Sequence, residues 1–228
     1  MDTSEILDLK LNKTCESTKH PHRLQKATGV FIDNNIIICG GSYSSGSSNK
    51  CYQQNGTGFY QMTPMMEKRT RASSTVTNNL MWVTGGDGHK YYSSTEFIIP
   101  KDSNPFPLNS IPLHDIDLPI SVRGHVILSL NSTTSILIGG QTVKKGANSH
   151  KCYYFNHINQ NWTRGYDLME GRRYHTAGLI KDHETHEEHI VVVGGLNDNG
   201  GSIKPSVSVE IMFAGERSWT IGTKSNHQ

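Results

Sequence analysis

The stretch "HIVVVGGLNDNGG", residues 189–201, runs four aliphatic residues into a glycine pair and then into a loop of Asn, Asp and Gly. A short β-branched run bounded by turn formers reads as a strand buried on both faces. Glycines at its end allow positive φ and the close approach of a neighbouring chain. The phrase recurs. "NNIIICGG" ends at Gly41, "LMWVTGG" at Gly86, "TSILIGG" at Gly140 and "IVVVGG" at Gly195, at intervals of 45, 54 and 55 residues. One such pair means little, but four at nearly one period define a repeat, with Gly40, Gly85, Gly139 and Gly194 as first members.

Working outward, each pair is followed by a polar loop and then a short apolar stretch: "KCYQQ", "STEFII", "KCYYF" and "SVEIMF". These align Cys51, Glu96, Cys152 and Glu210. An aromatic follows nine or ten residues on, as Tyr60, Trp162 and Trp219; the remaining copy offers only Phe106. Next comes a loop with Pro or Met, then an Arg, then another strand, which aligns Arg23, Arg71, Arg123 and Arg173 in one column. Large aromatics such as Trp162 and Trp219 can bury about 200 Å² each, so they and the glycines are read as structural repeat positions.

In this order of features the sequence resembles the kelch repeat, over about residues 5–222. The resemblance implies an all-β protein: a β-propeller of four-stranded antiparallel blades. We expect one domain over 1–228. Residues 4–15 would be the outer strands of a first blade, and about 23–64, 71–110, 123–167 and 173–222 successive full blades. Since the resemblance implies five to seven blades, this propeller is expected to be incomplete or unclosed, with missing blades or a second chain closing the ring.

The 228 residues carry a net charge of +2, which does not indicate nucleic-acid binding. The longest apolar runs are far short of the roughly 20 residues of a membrane span. "MDTSEILDLKLNK" lacks the basic start and apolar run of a secretory signal, so a cytoplasmic protein is expected, or a secreted one if the N-terminus is truncated. The cysteines are read as free, buried thiols. A Cys39–Cys51 disulfide, on adjacent strands of one blade, is the alternative.

The densest cluster of metal-ligand types, His183, His186 and His189 in "KDHETHEEH", lacks the spacing and helical context of a zinc protease. It is read as a solvated hairpin, with no metal and no cofactor expected. No nucleophile elbow, phosphate loop or Cys-x-x-Cys pair occurs. A non-catalytic protein-interaction module is therefore expected. The alternative is a propeller enzyme or carbohydrate-active protein of the galactose-oxidase-like or sialic-acid-processing kind. The resemblance places the loops that lead into each inner strand, and those after each glycine pair, on one face where partners dock. Candidate contacts there are Lys68, Arg69, Arg71, Tyr91, Tyr92, Arg123, His125, Lys144, Arg172, Arg173 and His175. Arg binds carboxylates bidentately, so an acidic protein or peptide partner is expected. The non-repeated Lys68, Arg69, Lys144 and Arg172 are the specificity candidates.

Overall fold

The computed structural model describes residues 5–8, 13–16, 19–55, 58–100, 116–142, 148–198, 202–213 and 216–222. All regular structure in them is β. Strands β1 (Glu5–Asp8) and β2 (Lys13–Glu16) form a hairpin. The first blade contains β3 (Gln25–Ile32), β4 (Asn35–Tyr43), β6 (Cys51–Asn55) and β7 (Gly58–Gln61), with a short β5 (Gly46–Ser47) on β4. In the second, β8 (Ser73–Thr77), β9 (Leu80–Thr84) and β10 (Thr95–Ile98) lie side by side. Residues 101–115, and with them Phe106, lie outside the described residues, as does Lys144.

The third blade has β12 (Val126–Ser129), β13 (Thr134–Ile138), β15 (Cys152–Asn156) and β16 (Asn161–Arg164), while β11 (Val122–Arg123) pairs with β14 (Gln141–Thr142). In the fourth, β17 (Thr176–Lys181), β18 (Glu188–Val193), β21 (Val209–Met212) and β22 (Thr220–Ile221) form the sheet, and β19 (Leu196–Asn197) pairs with β20 (Lys204–Pro205). Every pairing is antiparallel. The protein is an all-β, kelch-type propeller of antiparallel blades, and its described strands do not close into a ring.

The core lies in the seams between blades. Ile37, Cys39 and Cys51 of the first blade pack on Met81, Val83 and Ile98 of the second. Trp82, on the other face of β9, meets Ile127, Leu137 and Phe155 of the third. Ile136, Ile138 and Cys152 of the third meet Ile190, Val192, Met212 and Trp219 of the fourth. Each large apolar side chain so buried stabilises by about 1.5–3 kcal/mol. Being covered on both faces is why all five residues of "LMWVT" are buried without alternation.

The glycine pairs sit where one blade meets the loop leading into the next. The N–H groups of Gly41, Gly86 and Gly140 donate to the carbonyls of Arg69, Val122 and Arg172, each at 2.8 Å. A Cβ at Gly140 would lie 2.4 Å from Val122 Cγ2 and 2.7 Å from His125 Cβ, and its φ is +97°. No side chain fits there.

The expectation of free thiols at Cys39 and Cys51 is corrected: the two are joined in a disulfide. They face each other directly across β4 and β6, with Cα atoms 4.1 Å apart. Cys152 holds the same column in the third blade, but its neighbour across β13 is Ile138. It remains a free thiol whose pKa burial pushes up to about 12.

Candidate binding site at the channel mouth

Two consecutive residues at or near the start of each blade's inner strand line the propeller axis. Lys26 and Ala27, Arg71 and Ala72, Gly124 and His125, and Tyr174 and His175 surround a cavity of about 470 Å³. Lys26, Arg71, Gly124 and Tyr174 all have positive φ, between 53° and 60°. They are linked in series: Arg71 N–H donates to Lys26 O, Gly124 N–H to Arg71 O and Tyr174 N–H to Gly124 O, at 2.8–3.0 Å. Inward-facing backbone is thereby satisfied from blade to blade.

Around this axis the charged side chains are shared between blades. Arg71 Nη1 and Arg123 Nη1 converge on one oxygen of Asp87 at 2.8 and 2.9 Å, and Thr70 Oγ1 donates to the other at 2.9 Å. Arg123 Nε and Nη2 donate to Gln141 Oε1 at 3.0 and 2.8 Å, and its guanidinium lies 4.5 Å from the Tyr91 ring centre. One blade on, Arg173 Nη1 reaches Asn148 Oδ1 at 2.7 Å and Asp198 Oδ2 at 3.0 Å. Three arginines thus meet two aspartates. Arg71 and Arg123 keep about a fifth of their side-chain surface in solvent, and Lys26 and Lys68 are exposed beside them.

The register of the arginines is corrected. A Cβ on Gly41, Gly86, Gly140 or Gly195 would abut the carbonyl of Gln25, Thr70, Arg123 or Arg173. Those four residues are one column. Arg71 stands one place and Arg23 two places away from it.

Several expected contact residues are out of reach. Arg69 and Arg172 are fully buried, and Tyr92, His125, Arg173 and His175 are nearly so. Their positions correct the expectation that they touch a partner, and Arg69 and Arg172 are not unrepeated either. Arg69 Nε and Nη2 donate to Glu96 Oε1 at 3.1 and 2.9 Å, while Nη1 takes the carbonyls of Gly85 and Ser94. Arg172 Nη2 donates to Glu210 at 2.5 Å and Nη1 to the carbonyls of Gly194 and Ser208. The glutamates also accept N–H bonds from the preceding loop, Met66 and Glu67 on Glu96 and Met169 and Glu170 on Glu210.

The glycine register places Leu24, Arg69, Val122 and Arg172 in one column. Beside it, Pro21, Met66, Pro119 and Met169 form another, and the bonds from Gly40, Gly85, Gly139 and Gly194 N–H to the carbonyls of Lys50, Ser94, Lys151 and Ser208 correct the third: Glu96 and Glu210 align with Tyr52 and Tyr153, one residue beyond Cys51 and Cys152. The three positions switch together. Blades two and four use Met, Arg and Glu; blades one and three use Pro, an aliphatic residue and Tyr. A proline has no N–H for a glutamate to accept, and a buried glutamate without its cation is costly.

His125 and His175 lie at the seams with pKa values lowered to about 3, chiefly by burial, with Arg69 acting on His125 and Arg172 on His175. His125 Nε2 bonds Thr84 Oγ1 at 2.9 Å. Glu170 is held below its usual range: burial pushes it up, but the hydroxyls of Ser206 and Ser208 and the Arg172 charge outweigh that. Trp162 and Trp219 donate their indole N–H to the carbonyls of Ile116 and Tyr166, tying each outer strand to its own blade's lead-in loop. Among the described residues, no cluster of three His, Cys, Asp or Glu side chains could hold a metal, and no helix could cross a membrane. A larger groove of about 820 Å³ lies between β7 and β10; no site is assigned to it.

Blades joined by repeated seams, with a basic cluster at the axis, define a kelch-repeat β-propeller. No protein-family model matches the chain. Kelch-like protein 41a of Danio rerio is 24% identical over 193 residues, which cover 80% of this chain but 28% of that protein. The solved structure of YjhT superposes with a TM-score of 0.71 at 14% identity, covering 94% of this chain and 77% of that one. The match to YjhT corrects the expectation that the chain is not an enzyme. One propeller fold carries binding or catalytic sites according to its loops, so missing sequence motifs are no ground for that exclusion, and it is withdrawn.

Proposed function

We propose that the protein is a binding module that docks an acidic segment of a partner protein over the channel mouth. The observation that carries this reading is the convergence of Arg71 and Arg123 on the single carboxylate of Asp87. One anion between two guanidiniums leaves donors for a second, and among the described residues the Arg71 side chain donates only through Nη1, to Asp87 and Thr70. A partner carboxylate would take the remaining fork in the bidentate manner that suits arginine. Lys26 and Lys68 add positive potential, and Tyr91 supports Arg123 from below. Lys68, Arg71, Tyr91 and Arg123 are the proposed contacts, together with Lys144, which lies outside the described residues.

The test is fluorescence anisotropy of a labelled glutamate-rich peptide with the wild type and with Arg71→Glu and Arg123→Glu. Each reversal should weaken binding about tenfold or more, and added salt should weaken the wild type. Lys181→Glu, on the β17–β18 hairpin, should bind as the wild type does. Equal binding by all four proteins would overturn the reading.

A further inference from the structure

We infer that the outer face of the fourth blade is a docking surface for a second copy of this chain, through the outer face of the first blade. The inference is independent of the proposed function.

The fourth blade carries a seam with one side missing. Strand register sorts its residues onto two faces. Leu179, Ile190, Val192 and Met212 point to the third blade and are packed there. Ile180, Val191, Val193, Val209, Ile211 and Phe213 alternate with them on the opposite face, and Ile180, Val193 and Phe213 are 53%, 42% and 41% exposed. In the other three blades the matching face is buried in a seam.

The backbone carries the same signature. A Cβ on Gly40, Gly85 or Gly139 would lie 2.6–2.8 Å from a carbonyl of the next blade's lead-in loop, whereas one on Gly194 would find only Ser206 O at 3.9 Å. Gly41, Gly86 and Gly140 each donate to such a carbonyl; among the described residues Gly195 N–H has no backbone acceptor. An apolar patch with an orphaned N–H and vacant space above its glycine has the form of an unfilled seam, unlike a wet surface.

What fills a seam is visible three times in the molecule: a lead-in loop with a seam-buried residue four positions before the carbonyl that meets the glycines. Met65 precedes Arg69, Leu118 precedes Val122 and Leu168 precedes Arg172 in this way. The first blade presents the same parts, and among the described residues no glycine pair lies against them. Leu24 is in the carbonyl column. His20, four residues before it, lies across Tyr52 and Phe59 with ring centres 4.8 and 5.0 Å away. Beside it stand Phe31, 66% exposed, and the half-buried Ile36 and Ile38. The chain thus carries both halves of one junction at opposite ends of its blade series, unpaired with each other. Two copies can join them head to tail, a heterologous contact that closes a ring or continues as the rotation dictates.

Sedimentation velocity over a wide concentration range tests this. The wild type should associate, its apparent mass at least doubling. Val193→Asp removes one half of the junction and Phe31→Asp the other. Both residues are exposed, so each variant should stay folded by circular dichroism, and each alone should remain a monomer. Mixed in equal amounts, the two should form a complex of twice the monomer mass, because each retains the half that the other lacks. A wild type that stays monomeric throughout, or a mixture that does not associate, overturns the inference. Peptide binding by either variant should be unchanged, which separates this result from that of the mouth.

Discussion

The buried Arg172–Glu210 pair offers a quantitative test of how the blades are built. Both side chains are fully buried. Arg172→Val leaves the buried Glu210 side chain without its cation, held by the N–H groups of Met169 and Glu170, and removing one member of such a pair costs about 3–5 kcal/mol. Glu210→Tyr leaves Arg172 on the carbonyls of Gly194 and Ser208 and strands two N–H groups, at about 1–3 kcal/mol for each group left unmade. The triple change Met169→Pro, Arg172→Val, Glu210→Tyr installs the set that the third blade uses at Pro119, Val122 and Tyr153. It removes the cation, the anion and one orphaned donor together. We expect the triple variant to lie within about 2 kcal/mol of the wild type, although the singles sum to far more, because interacting sites are non-additive. Among the described residues the fourth blade packs on one neighbour, so its stability is best read locally. Native-state hydrogen exchange at the β18 and β21 amides, alongside urea unfolding, gives that value. If Arg172→Val cost less than about 1 kcal/mol, or the triple cost equalled the sum of the singles, the three-column switch would be wrong.

Three further outcomes are expected. Reducing the Cys39–Cys51 disulfide, which spans 12 residues, should destabilise the first blade by about 3 kcal/mol, measured by thermal melts with and without reductant. His125 and His175 titrate near 6.5 when unfolded and only near 3 when folded. Their contribution to stability is therefore complete above pH 6.5 and is lost as pH falls toward 3, by up to about 1.4 kcal/mol per pH unit for each imidazole; unfolding at stepped pH, with NMR showing that neither ring titrates between pH 7 and 5, checks this. Gly140→Ala forces a Cβ into Val122 and His125 and should cost more than about 2 kcal/mol, whereas Gly58→Ala, with nothing within 4 Å, should be nearly neutral by denaturant midpoint.

Much of the fold is legible in the sequence because glycine has no substitute where a carbonyl presses on its Cα. The pairs at 40–41, 85–86, 139–140 and 194–195 therefore keep the period visible. The arginines mislead for the opposite reason: Arg serves two jobs here. Arg69 and Arg172 neutralise glutamates inside a blade, and Arg71, Arg123 and Arg173 pair with acids and amides around the axis. Spacing alone merges the two sets. The alternation of Tyr with Glu at 52, 96, 153 and 210 held the missing clue, since the partner column switches from aliphatic to Arg in step. The ring of Lys26, Arg71, Gly124 and Tyr174 leaves no such trace. Its members share a backbone conformation and no side-chain chemistry. The disulfide was misread because column membership pairs Cys51 with Cys152, whereas the strand register pairs Cys51 with Cys39.

The most direct measurement of the central claim is hydrogen–deuterium exchange with and without a saturating glutamate-rich peptide. Docking at the mouth predicts slowed exchange at residues 68–71, 87–92 and 122–124, with the β7 and β16 outer strands unchanged. Protection confined to the outer strands, or none at any segment, would contradict it.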